Sequence, residues 1–226
     1  MIKNRVTEID FLRGFAILMM VVVHISYDLT DYYKMALPIS KYMPVFIMLS
    51  APVFIILSGI SSTFSRNNFK RGFFVFTMGL ALTAVTYFFE PTFFIWFGIL
   101  HCLGLCMMLF HFVRQLCTKW LSVMAFLTFA VGILFSKMTI QNPYFFWLGL
   151  INQHFQSADY YPILPWFGVF LFGVVMGRLF YHTRKNRVFS PNAKNPMCII
   201  GRHSLLIYLI HQPIILAILA LFLGKF

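Results

Sequence analysis

Residues 8–31 read Glu8-Ile-Asp10-Phe-Leu-Arg13-Gly14-Phe-Ala-Ile-Leu-Met-Met-Val-Val-Val-His24-Ile-Ser-Tyr-Asp28-Leu-Thr-Asp31. From residue 11 to 31 the run is long enough to cross a bilayer, which takes about 20 mostly apolar residues. It nevertheless carries Asp10, Arg13, His24 and Asp28. At ~100° per residue these four fall within roughly a 60° sector. One polar stripe therefore runs down an otherwise apolar cylinder, and such a stripe faces a bundle interior or a water-filled cavity. The rest of the chain has the same character. Of 226 residues, 60% are hydrophobic and only 11% charged, against about 45–50% and about 25% in soluble domains. So few charges cannot clothe a surface in water. The fold class is all-α, a polytopic membrane helix bundle. Disorder, nucleic-acid binding and a secreted disulfide scaffold are excluded as main readings.

Seven stretches are long and apolar enough to span: 11–31, 42–64, 72–90, 93–113, 120–136, 162–181 and 203–223. An eighth run, 144–151, is too short and reads as interfacial or re-entrant. No repeat or long polar linker divides the chain, so residues 1–226 read as one bundle. Lys3 and Arg5 before an apolar run resemble a signal peptide. Glu8, Asp10 and Arg13 crowd its start and no small-residue cleavage site follows, so the run is kept as the first membrane helix.

The net charge of +12 then becomes a topology signal. With the N-terminus in the cytoplasm, the inner segments hold Lys3, Arg5, Arg66, Lys70, Arg71, Arg114, Lys119, Arg178, Arg184, Lys185, Arg187, Lys194 and Arg202, with Arg13 at the inner end of the first helix. The outer segments hold Lys34, Lys41, Lys137 and Lys225, balanced by Asp28, Asp31, Glu90 and Asp159. The positive-inside rule favours this orientation. Cys102, Cys106, Cys117 and Cys198 all avoid the outer loops, and no metal-binding spacing is present, so neither disulfides nor a metal are expected.

His24 and Asp28 stand at i and i+4, so their side chains can meet. A carboxylate one turn away can orient an imidazole as a general base; a structural polar pair is the other reading. Asp10 and Arg13, at i and i+3, read equally as an ion pair. His101 in the fourth helix and Asp159 in the outer 137–161 region point to the same outer half, so a pocket of His24, Asp28, His101 and Asp159 is expected. Ser204, Tyr208 and His211 share one face of the last helix, just before Gln212 and Pro213, where a kink is expected. That face serves either a substrate or helix–helix adhesion. Arg66, Lys70 and Arg71 cluster between the second and third helices, where Arg13 can join them. Such bases suit phosphate groups, or anionic lipid.

Several of these segments together resemble a known family. The opening Glu8-Ile-Asp10-Phe-Leu-Arg13-Gly14 with Met20-Val-Val-Val-His24 is similar to the first motif of a membrane acyltransferase superfamily. Ala51-Pro52-Val-Phe-Ile-Ile-Leu-Ser58-Gly59, Phe97-Gly98-Ile-Leu-His101-Cys-Leu-Gly104, Asp159-Tyr-Tyr-Pro162-Ile-Leu-Pro165-Trp166-Phe-Gly168 and the run from Ser204 to Pro213 resemble the heparan-α-glucosaminide N-acetyltransferase catalytic-domain family, including its compact bacterial members. The resemblance implies acetyl transfer from cytoplasmic acetyl-coenzyme A to an amino sugar or other glycan acceptor across a bacterial plasma membrane. It implies that Arg13 helps bind the donor and that His24 activates the acceptor or carries the acetyl group. The positions read above then give Arg66 and Arg71 to the donor, Asp28 and His101 to catalysis with His24, and Asp159, Tyr208 and His211 to the substrate. The animal members' pattern puts a proposed active His after the first helix. Residues 29–50 hold none, so His24 is assigned from the O-acylating relatives and the helix geometry. Membrane lipid is the other expected partner, nucleic acid is not one, and a homo-oligomer is compatible with the sequence. The rival readings are a transporter whose polar stripe is a permeation path with His24–Asp28 as proton relay, and a structural membrane subunit.

Overall fold

A computed structural model describes residues 6–37, 42–92, 94–182 and 191–224. Lys3, Arg5, Lys41, Arg184, Lys185, Arg187 and Lys225, which entered the charge distribution, lie outside the described residues. Eight α-helices are described: α1 (Thr7–Tyr27), α2 (Met43–Ser62), α3 (Asn68–Phe89), α4 (Ile99–Val113), α5 (Thr118–Phe135), α6 (Ile163–Met176), α7 (Pro196–Arg202) and α8 (Ser204–Leu223). Wider π turns extend α1 over Asp28–Tyr32 and α6 over Gly177–His182. The fold is all-helical. Among the described residues five stretches are long and apolar enough to cross a membrane: Thr7–Asp31, Asn68–Phe89, Thr118–Phe135, Ile163–Tyr181 and Ser204–Leu223. Shorter apolar helices, Met48–Ser62 and Ile99–Val113, occupy the other two expected positions. The expected span at 93–113 begins as a helix only at Ile99, because Pro91 and Gly98 break the pattern and residues 94–97 hydrogen-bond to 158–161 instead. The short run at 144–151 forms a single 3-10 helix, Pro143–Leu148, capped by Asn142.

The chain divides into two units, residues 1–54 with 186–226, and residues 55–185. In both, polarity is turned inward. Phe88 is 83% exposed and Leu221 82%, while Asp10, Asp28, Asn68 and His101 are buried. Lipid tails offer no hydrophobic drive between helices, so membrane helices pack through small residues that let backbones approach. In the second unit Gly72 of α3 faces Gly104 of α4, and Gly168 of α6 lies against the Ala125 carbonyl of α5. In the first unit Gly14 of α1 lies against the Met197 carbonyl, and Gly201 of α7 against the Asp10 carbonyl.

Helix ends are held by side chains whose roles are local. Asn67 accepts from the Lys70 amide at the start of α3, and Asn195 from the Met197 amide at the start of α7. Arg178 donates to the carbonyls of Arg114 and Leu116, both at 2.6 Å, beyond the C-terminal end of α4. A cation there satisfies carbonyls that the helix leaves unpaired.

Candidate functional site

The stripe on α1 organises the first unit at two levels. At its N-terminal end Asp10, only 2% exposed, meets Arg13 and Arg202. Arg13 Nη1 lies 4.0 Å from Asp10 Oδ1, and Arg202 Nε of α7 lies 3.5 Å from Asp10 Oδ2. The expected Asp10–Arg13 pair forms, and Arg202 joins it. The close approach of α1 to α7 at Gly14 and Gly201 brings Arg202 there. One buried carboxylate thus gathers two guanidinium groups, of which Arg13 and Arg202 keep part of their side chains accessible.

Eleven residues along α1, about 16 Å at the α-helical rise, the stripe reaches His24. Its ring meets His211 of α8 edge to face, with centroids 4.7 Å apart. His211 Nδ1 lies 2.6 Å from the Tyr208 carbonyl oxygen. A carbonyl only accepts, so Nδ1 carries the proton and Nε2 the lone pair. That Nε2 is buried and has no hydrogen-bond partner.

Asp28, 1% exposed, does not hydrogen-bond to His24. Gln212 Nε2 of α8 donates to both its carboxylate oxygens, at 3.1 and 2.9 Å. The i, i+4 spacing is present, but an amide donor from another helix holds the carboxylate. The amide NH2 must face the carboxylate, so Gln212 Oε1 points elsewhere, where it too is buried without a partner. An unmade bond of this kind costs about 1–3 kcal/mol, so two in adjacent residues ask for an explanation. His24, Asp28, Tyr208 and His211 are therefore gathered in one unit, with Gln212 among them.

His101 and Asp159 belong to the second unit, and both serve the start of α4. Asp159 Oδ2 accepts from the Ile99 amide at 3.0 Å. His101 Nδ1 accepts from the Gly98 amide at 3.2 Å, and its Nε2 lies 3.3 Å from Thr83 Oγ1, which donates to the Ile95 carbonyl. Phe97 stacks on the imidazole and Phe76 meets it edge-on. With both ring nitrogens engaged and the ring 2% exposed, His101 caps the start of α4. A side chain at Gly98 would meet the Asp159 carboxylate, so glycine leaves room for that carboxylate beside the Ile99 amide. Burial pushes the nearby Tyr160 phenol up, and its hydroxyl donates to the Phe146 carbonyl at 2.6 Å. Arg66 is exposed and Arg71 half-buried, flanking the start of α3 in this unit. Among the described residues no group of three or more His, Cys, Asp or Glu is arranged to hold a metal ion.

Arg202 and Gln212 are the site residues that sequence reasoning passed over. Each had a signal. Arg202 is a charge at the mouth of an apolar helix, and Gln212 is an amide inside one, where polar side chains are expensive.

No curated protein and no solved structure matches the chain. The family model described as heparan-alpha-glucosaminide N-acetyltransferase, catalytic, matches residues 5–213, and the chain, an integral membrane protein, belongs to this acetyltransferase family.

Proposed function

We propose that the protein moves an acetyl group from cytoplasmic acetyl-coenzyme A to an amino sugar or another glycan acceptor on the outer side of a bacterial plasma membrane, through about seven membrane helices with the N-terminus inside. The observation that carries this reading is the polar column of α1. It joins a guanidinium cluster at Asp10 to an imidazole pair at His24, with Arg13 and His24 about half a hydrocarbon core apart. The donor's phosphates suit the inner end, where Arg13 can exchange the long 4.0 Å pair with Asp10 for a phosphate oxygen while Arg202 keeps Asp10 neutralised. Arg66 and Arg71, in the second unit, offer the same chemistry to phosphates. The thioester carbonyl then lies toward His24, which serves as base or as acetyl carrier, and Tyr208 and His211 line the acceptor's side.

The test is a titration of the protein in nanodiscs with acetyl-coenzyme A, followed by assay with glucosamine-type acceptors. The wild type binds saturably. Arg13→Ala weakens binding by about 10- to 100-fold, the equivalent of one charge-assisted hydrogen bond. No binding at millimolar donor overturns the acetyltransferase assignment and favours a permeation path.

The orientation has its own test. With the exposed Cys117 replaced by Ser, a Cys placed at Ala193, an exposed residue before α7, is expected to react with a membrane-impermeant maleimide only after the cells are opened. Labelling of intact cells reverses the topology and with it the donor's side.

A further inference from the structure

We propose that His211 is a catalytic residue whose Nε2 takes the proton from the acceptor's N–H or O–H, while Oε1 of Gln212, the next residue of α8, accepts a second donor of the same acceptor. This deepens the acetyl-transfer reading and rests on it.

The Tyr208 carbonyl fixes His211 with its proton on Nδ1, so the basic lone pair is on Nε2 of a ring that meets His24 edge to face. That is the tautomer and restraint a general base needs: one nitrogen tied to a fixed acceptor, the other ready to receive a proton. Asp28 holds the amide of Gln212 through both carboxylate oxygens, which fixes the opposite direction for Oε1. Both atoms are buried acceptors with no donor among the described residues. A single ligand that satisfies both brings two N–H or O–H groups. Glycans and amino sugars present neighbouring hydroxyl and amino groups. An acyl chain, a simple anion or the thioester itself presents no such pair. In this arrangement Asp28 is a positioning residue acting through Gln212, and it makes no hydrogen bond to an imidazole.

The step balances. As the acceptor's lone pair bonds to the acetyl carbonyl carbon, its N–H or O–H bond breaks toward His211 Nε2. The bond from that carbon to the leaving atom breaks, and the electron pair stays on that atom. The leaving atom is the donor's sulfur in direct transfer, or a histidine nitrogen if the acetyl group has been carried. It takes back the proton from His211.

Three variants test this in nanodiscs with acetyl-coenzyme A and a glucosamine-type acceptor. His211→Asn keeps a donor for the Tyr208 carbonyl but has no atom at Nε2. His211→Ala opens space for free imidazole. Both are expected to bind acetyl-coenzyme A as the wild type does and to lose about 100-fold or more in kcat, with imidazole restoring turnover to His211→Ala. Gln212→Leu is expected to raise the acceptor KM more than it lowers kcat. Turnover in His211→Asn within about fivefold of wild type, or a His211→Ala defect that imidazole does not relieve, overturns the assignment. Loss of donor binding in both His211 variants makes the residue structural and overturns it equally. A wild type that binds donor yet acetylates no amine or hydroxyl overturns the underlying transfer reading as well, so the two failures are distinguishable.

Discussion

Gly201→Leu is expected to yield no folded protein, and Gly201→Ala a protein with a clearly lowered melting temperature. A Cβ built on Gly201 falls onto the carbonyl oxygen of Asp10, and the Gly14 amide nitrogen lies 2.9 Å from it. The obstacle is backbone, which cannot swing aside as the end of a side chain can. The reciprocal position is as tight, since a Cβ on Gly14 strikes the Met197 carbonyl. Even the methyl group of alanine therefore forces α7 off α1, in a range where overpacking costs about 1–3 kcal/mol or more. Leucine adds a volume for which no space exists. The damage is not confined to packing. Moving α7 also carries Arg202 away from Asp10, and taking a cation from a buried carboxylate adds to the cost. Fluorescence-detected size exclusion with a thermal ramp measures both variants. A monodisperse Gly201→Leu protein with wild-type melting behaviour would mean that α1 and α7 do not meet as described.

Composition and the periodicity of residues 8–31 were enough to read the helical membrane fold and the inward polar stripe, because a chain with so few charges has one solvent in which it can fold. Asp10 and Asp28 are buried as that stripe requires. Tertiary partners were not legible. Spacing brings His24 and Asp28 within reach, yet the carboxylate is claimed by Gln212, 184 residues away, and no local rule ranks a distant amide above a neighbouring imidazole. His101 looked like chemistry because an intramembrane histidine is costly. Its cost is met by the Gly98 amide and Thr83, a cap that depends on the chain turning at Gly98. Helix α7 went unread because seven residues carry too little periodicity to register. Its start was nonetheless written as Asn195-Pro196, a capping residue followed by proline at the first helical position. Arg178 entered only as topology, although its guanidinium ties down two carbonyls beyond α4.

His24→Ala is expected to lose about 10²- to 10⁴-fold in acetyl transfer, the range by which a positioned acid, base or nucleophile accelerates such steps. Acetyl-coenzyme A affinity is expected to stay near wild type. The separation follows from geometry: the cations of the inner end lie about 16 Å along α1 from the imidazole, and neither Arg13 nor Arg202 relies on His24 for its place, since both converge on Asp10. A substitution that empties the space beside His211 should therefore remove turnover and spare the donor site. The kinetic pattern then divides the work between the two rings. If His211 takes the proton, the task left to His24 is to hold the acetyl group, and initial rates measured over both substrates should give parallel double-reciprocal lines. In the absence of acceptor, rapid acid quench should trap radiolabelled acetyl on the wild type and none on His24→Ala. Intersecting lines with no trapped label would make His24 part of a direct transfer instead. Turnover unchanged in His24→Ala would remove the imidazole pair from the reaction while leaving the proposed donor site as it is, because that proposal rests on Arg13 and not on His24.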